Sequence, residues 1–230
     1  MKVIGLLGGM SWESTALYYR ILNQQVKQQL GGLHSAELVL YSVDFQRIEH
    51  LQAAGEWQQA GEILAEAACN LERAGAQFIV LCTNTMHKVA AHISAATDIP
   101  LLHIADATRR RIQRVGVCKV GLLATRFTME QDFYRGRLQQ HFGLEVITPD
   151  EADRLLVHEV IYQELCLGEI NPASRRRYRE IMQKLVAQGA EAIILGCTEI
   201  TLLVDATDAS VPLFDTTQIH AEEAVLQALS

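Results

Sequence analysis

The chain has 230 residues, 49% hydrophobic and 20% charged, with a formal net charge of −7, a composition that excludes disordered and fibrous classes. The negative balance argues against nucleic acid or an acidic membrane surface as a partner, because both would be repelled. Its cysteines, at 69, 82, 118, 166 and 197, form no C-x-x-C pair and follow no regular spacing, which argues against a disulfide framework or a zinc site and for free thiols in a reducing, cytoplasmic compartment.

The first predicted strand covers residues 3–7. The run from Met1 to Met10 has a superficial likeness to a signal peptide, but its apolar part is short and passes at once into Ser11-Trp12-Glu13 and an amphipathic helix, so a buried strand is the expectation. In that helix Leu17, Ile21, Leu22, Val26 and Leu30 recur at helical spacing until Gly31-Gly32 stops it. A second strand is predicted at 36–42. Next comes a helix carrying Ile63, Ala67, Leu71 and Ala74 and closed by Gly75, then a strand at 77–81. Further strands are predicted at 120–123 and 145–148. A helix with Tyr178, Ile181, Leu185 and Val186 ends at Gly189, and a strand follows at 191–195. Short apolar runs alternating with helical patterns predict an α/β protein built from βαβ units with parallel sheets. No stretch is long enough to span a bilayer.

The chain repeats itself. Gly75-Ala76-Gln77-Phe78-Ile79-Val80-Leu81-Cys82-Thr83-Asn84-Thr85 aligns without gaps on Gly189-Ala190-Glu191-Ala192-Ile193-Ile194-Leu195-Gly196-Cys197-Thr198-Glu199. Gly189 lies 114 residues after Gly75, as Cys197 does after Thr83. The segment from Lys2 to Gly8 likewise matches Lys119-Val120-Gly121-Leu122-Leu123-Ala124 with one gap, and Ile99-Pro100-Leu101-Leu102-His103 matches Val211-Pro212-Leu213-Phe214-Asp215. The repeat predicts two similar lobes related by a pseudo-twofold, each a mainly parallel sheet flanked by helices: residues 1–98 plus 215–230 carrying Thr83, and residues 99–214 carrying Cys197. Ligands of open α/β sheets bind beyond the carboxyl ends of the strands, so facing lobes would set Thr83 and Cys197 across a shared cleft.

Each copy ends a strand and offers a small polar residue at a turn, Thr83-Asn84-Thr85 in one and Cys197-Thr198-Glu199 in the other. Backbone N–H groups at such a turn can hold an anion, and a thiol at a helix start is expected to have its pKa lowered. Two acid/base groups on opposite sides of a planar intermediate suit racemisation, one removing a proton and the other returning one to the opposite face. Taken singly, such residues are more often packing or capping groups. Cys69, Cys118 and Cys166 fit the core, Asn84 and Thr198 could cap helices, and Arg175-Arg176-Arg177 fits a solvated helix face. Gly5-x-x-Gly8-Gly9 has neither dinucleotide nor phosphate-loop spacing. His87 and His92, five apart, share no helix face and make a poor metal pair, which leaves His87 as a support for the loop at 83.

With Gly8-Gly9-Met10-Ser11-Trp12-Glu13-Ser14-Thr15, Thr83-Asn84-Thr85-Met86-His87 and Cys197-Thr198-Glu199 in that order, the whole chain resembles the aspartate/glutamate racemase superfamily, most nearly the bacterial aspartate/glutamate-specific type. The resemblance implies two lobes with one catalytic residue each, no pyridoxal phosphate or other cofactor, no metal, and a homodimer. Where the family has Cys-Asn-Thr this chain has Thr83-Asn84-Thr85, with Cys82 one residue earlier. Either Thr83 holds the catalytic place or a slipped strand presents Cys82 from its other side, and the ungapped repeat favours Thr83. The resemblance makes Cys197 the base for the L-enantiomer of aspartate or glutamate and Thr83 the donor to the other face. A hydroxyl is a weaker acid than a thiol and a poor base, so L-substrate should be deprotonated more readily.

Met10, Ser11, Asn84, Thr85, Thr198 and Glu199 are the remaining candidate substrate contacts, with Arg47 or Gln52 for the distal carboxylate. The alternatives are a broader-specificity racemase, another activity of the superfamily such as hydantoin racemase, maleate isomerase or decarboxylase, and a two-lobed thiol sensor that binds an anionic metabolite without turnover.

Overall fold

The computed structural model of the protein describes residues 1–139 and 144–230. In chain order the first half contains β1 (Ile4–Gly8), α1 (Trp12–Leu30), β2 (Leu38–Ser42), α2 (Phe45–Ala54), α3 (Trp57–Arg73), β3 (Phe78–Leu81), α4 (Ala90–Ala96) and β4 (Leu101–Leu102). Then come α5 (Ile104–Val115), β5 (Lys119–Ala124), α6 (Arg126–Glu130), α7 (Asp132–Gln139), β6 (Glu145–Ile147), α8 (Glu151–Gln163), α9 (Pro172–Ala187), β7 (Ala192–Gly196), α10 (Ile200–Leu203), β8 (Leu213–Asp215) and α11 (Thr216–Leu229). The strands form two four-stranded sheets of the same order, β2-β1-β3-β4 and β6-β5-β7-β8, and every pairing is parallel. This is the two-sheet α/β architecture that the repeat predicts.

Two compact units result, Met1–Ile104 with His220–Ser230, and Ala105–Ile219. The sequence-based divisions at 98/99 and 214/215 fall before both crossings. Strand β4 pairs with β3 and keeps residues 99–104 in the first unit, while Asp215 pairs with Leu195 and α11 carries the second unit on to Ile219.

The equivalent turns are built alike. Gly75 and Gly189 have φ of 95° and 94°, a region that costs glycine little and any other residue more. Gly75 N–H donates to Glu72 O at 2.9 Å and Gly189 N–H to Val186 O at 2.8 Å, closing α3 and α9 before the chain enters β3 and β7. Strands β4 and β8 were not predicted, because two or three paired residues are too few to show a period. Each follows a proline whose carbonyl accepts a neighbouring N–H, Pro100 from Ile79 and Pro212 from Ile193, both at 2.9 Å.

In the first unit, strand alternation feeds two cores. Ile4, Leu6, Phe78, Val80 and Cys82 pack with Tyr18, Leu22 and Val26 of α1 and with Val225 of α11. Leu7, Ile79 and Leu81 pack with Ile48 of α2, Leu64 and Leu71 of α3 and Ile93 of α4. Burial on both faces explains why these strands read as unbroken apolar runs. Among the described residues, no helix is long and apolar enough to cross a membrane.

Candidate active site

In the first unit the candidate residues gather at the carboxyl ends of β1, β2 and β3. Leu7 and Leu81 are register partners, and Cys82 N–H donates to Leu7 O at 2.9 Å, so Thr83 is the first residue past that ladder. Cys82 is fully buried and continues the Phe78, Val80 face into the core on α1 and α11. Burial pushes its thiol pKa up, because a thiolate there would lose its hydration. Cys82 thus packs in the core. Thr83 is buried beyond it, with its N–H donating to Leu81 O at 2.9 Å and its carbonyl 2.7 Å from His87 Nδ1.

Asn84 and Thr85 follow as the chain enters a 3₁₀ turn at Thr85–Val89, and both are buried. Met10 and Ser11 follow β1. Met10 lies in the core with Met86 and Ile48, and Ser11 caps α1, its hydroxyl accepting from Ser14 N–H at 3.3 Å. Gln52 and Arg47 part company on α2. Gln52 shares the buried face with Ile48 and its Nε2 is 2.9 Å from Met86 Sδ, beside the Thr83 segment. Arg47 is exposed on a shallow depression with Asp44 and Glu66, acidic company for a residue expected to bind a carboxylate.

In the second unit Cys197, Thr198 and Glu199 directly follow β7, and all three are buried. Leu123 and Leu195 are register partners there, as are Ala124 and Gly196, which reproduces the β1–β3 arrangement. Gly196 stands where the first unit has Cys82, and a Cβ there would lie 3.0 Å from both Ala124 Cβ and Leu122 Cδ1, so this unit has little room for a side chain at that place. The Cys197 thiol donates to Glu199 Oε2 at 3.0 Å, and Thr198 O accepts from the Thr201 hydroxyl at 2.8 Å.

The expectation of a lowered thiol pKa at Cys197 is corrected. Its pKa is raised well above the ordinary thiol value, first by burial and then by the negative charge of Glu199, with Cys166 and the side-chain hydrogen bond to Glu199 acting in the same direction. Only the Glu199 backbone N–H opposes them. Helix α10 has four residues and begins after Glu199, whose carboxylate makes no cap hydrogen bond, and a helix this short offers the thiolate little dipole stabilisation. Cys197 is thus a buried thiol with a proton acceptor in contact, a pair able to move a proton between sulfur and carboxylate.

Other residues at the same sheet edges had no sequence signal. His103 follows β4, and Thr125, a buried cap of α6, follows β5. Thr216 begins α11 with its hydroxyl donating to Leu195 O at 2.9 Å. The repeat offered the one available pointer, since His103 aligns with Asp215, whose carboxylate accepts from Thr217 N–H at 2.8 Å. Among the described residues, no group of three or more His, Cys, Asp or Glu could hold a metal ion.

Comparison with known proteins accords with this geometry. The model of the Asp/Glu/hydantoin racemase family matches residues 7–224. A crystal structure from Yersinia pestis, described as a candidate Asp/Glu racemase, is 63% identical, covers 100% of both chains and superposes with a TM-score of 0.93. The structure of an aspartate racemase homologue from Pyrococcus horikoshii OT3 is 34% identical, again over 100% of both chains, with a TM-score of 0.84. A broad specificity amino-acid racemase from Bacillus subtilis is 24% identical over 234 residues, 97% of this chain and 96% of its own length.

Proposed function

The chain belongs to the Asp/Glu/hydantoin racemase family, and from that premise we propose that it interconverts the L- and D-forms of aspartate and glutamate without a cofactor, Cys197 working on the L-face and Thr83 on the other. The observation that carries this assignment is the equivalence of the two strand ends. Thr83 and Cys197 are each the first residue past the ladder of matching central strands, and the alternative thiol, Cys82, is committed to the core.

The chemistry starts at Cys197. Its buried thiol passes its proton to the Glu199 carboxylate 3.0 Å away, a transfer favoured when the substrate ammonium brings positive charge to the site. The thiolate removes the α-proton from L-substrate, leaving a planar carbanion conjugated with the substrate carboxylate. Thr83 Oγ–H then donates to the opposite face, giving the D-enantiomer, and the proton held on Glu199 passes by way of solvent to the Thr83 oxygen, which restores both side chains. Donation back from Cys197, once its thiol proton has exchanged with solvent, instead regenerates L-substrate with solvent hydrogen at the α-carbon. Racemisation has an equilibrium constant of unity, so kcat/KM is equal in both directions and the asymmetry shows as exchange without inversion.

Met10, Ser11, Asn84, Thr85 and Thr198 are assigned to substrate positioning. Of the two candidates for the distal carboxylate, the buried Gln52 beside Met86 is favoured over the exposed Arg47. The Bacillus subtilis relative supports a second reading in which the side-chain pocket accepts further amino acids. We also assign the protein to the cytoplasm as a homodimer, which light scattering of the purified protein tests.

The function is tested by incubating purified protein with L-aspartate, then L-glutamate, in heavy water with no added cofactor. Loss of the α-proton signal with appearance of the D-form is expected. Silence with both amino acids would refute the assignment.

A further inference from the structure

The residue on which the proposed donor rests carries a second inference. Both backbone groups of Thr83 are tied, its N–H to Leu81 O at 2.9 Å and its carbonyl to His87 Nδ1 at 2.7 Å. The other ring nitrogen of His87 accepts the Ile104 N–H at 3.2 Å, which places the ring proton on Nδ1 and makes the imidazole the donor to Thr83. His87 is therefore a neutral bridge of fixed tautomer between the Thr83 peptide and the backbone where the chain leaves the first unit.

That bridge is itself braced. The His87 ring lies 4.4 Å from His103 and 5.9 Å from His220, centroid to centroid, and all three imidazoles are buried. His220, where the chain re-enters the first unit, is locked in turn. Its Nε2 lies 2.8 Å from Leu102 O and must donate, so its Nδ1 accepts the Tyr18 hydroxyl at 2.8 Å. Helix α1 and strand β4 thus fix the His220 ring of α11, which stands beside the imidazole that holds the Thr83 carbonyl. At Cys197 the corresponding carbonyl accepts the local Ile200 N–H at 3.2 Å.

We propose that His87 is a positioning residue for Thr83: by holding the 83–84 peptide plane from a buried histidine cluster, it aims the threonine hydroxyl at the face of the carbanion opposite Cys197. The inference rests on the racemase reading and on Thr83 as donor. A hydroxyl is a weaker acid than a thiol, and a weak acid transfers a proton only in near-attack geometry, so orientation matters most on the Thr83 side.

The test follows L-aspartate in heavy water, measuring α-proton loss and D-aspartate formation in the same sample, so that the number of inversions per exchange event is obtained. This ratio does not depend on how much of a variant is folded. For His87→Ala we expect exchange through Cys197 to continue while the ratio falls on the order of tenfold, the scale of a small misplacement of a reacting group. His87→Asn, whose amide N–H can stand where Nδ1–H stood, should recover most of the parent ratio. An unchanged ratio in His87→Ala, or a ratio in His87→Asn as low as in His87→Ala, would overturn the inference while leaving the racemase reading intact. Absence of exchange in the parent protein would overturn both.

Discussion

The ends of β3 and β7 are matching places in two matching sheets, yet they are furnished oppositely. At β3 a hydroxyl residue is held through its backbone, with Cys82 driven into the core behind it and His87 fixing its carbonyl. At β7 the residue behind is Gly196, and the control acts on the side chain itself, through the Glu199 carboxylate in contact with the Cys197 thiol. In the proposed mechanism one unit governs where its acid points and the other governs the charge of its base. A weak acid must be aimed, whereas a thiol must be ionised, and each strand end answers the need of the group it carries.

Removing the proposed base should have the largest effect. Cys197→Ala is expected to lower α-proton exchange from L-aspartate by about 10³-fold, the middle of the range for a positioned acid/base group, while ligand binding by calorimetry persists. Loss of binding along with exchange would show that the thiol matters to assembly of the site and not to the chemistry alone.

A smaller effect is expected at Glu199. Its negative charge helps hold the Cys197 pKa up, so the parent thiol stays protonated at neutral pH and becomes a thiolate only as pH rises through its raised value. Glu199→Gln removes the charge that disfavours the thiolate, and ionisation moves to lower pH. Alkylation of Cys197 by iodoacetamide, followed by peptide mass spectrometry, should then begin at lower pH in the variant. A shift to higher pH would mean that the negative charge of Glu199 does not hold the Cys197 thiol up.

The smallest effect should come from the neighbour of Thr83. Cys82→Ala removes one buried sulfur and is expected to cost about 1 kcal/mol of stability in a denaturant titration, with exchange per folded molecule unchanged. A collapse of exchange would return the catalytic place to Cys82.

Much of this comparison was legible in the sequence because it is local. Gly75 and Gly189, the apolar runs behind them and the 83/197 equivalence lie within single turns and strands, and the alternation that buries Cys82 continues the period of Phe78 and Val80. The burial of Gln52 was also within reach, since Ile48 and Gln52 stand four apart and share the buried face of α2. What could not be read is what distant segments bring together. Tyr18, Leu102 and His220 meet from opposite ends of the chain. The rise of the Cys197 pKa depends on burial and on the rotamer of Glu199, and neither is visible in a motif that predicts a helix start.

The central claim is that the two strand ends are unequal as proton-transfer sites, and α-proton exchange from each enantiomer of aspartate in heavy water tests it most directly. L-aspartate should lose its α-proton faster than it inverts, by exchange through Cys197, while D-aspartate exchanges slowly because Thr83 is a poor base. Equal exchange from the two enantiomers would contradict the assignment of Thr83 and Cys197 to unequal roles.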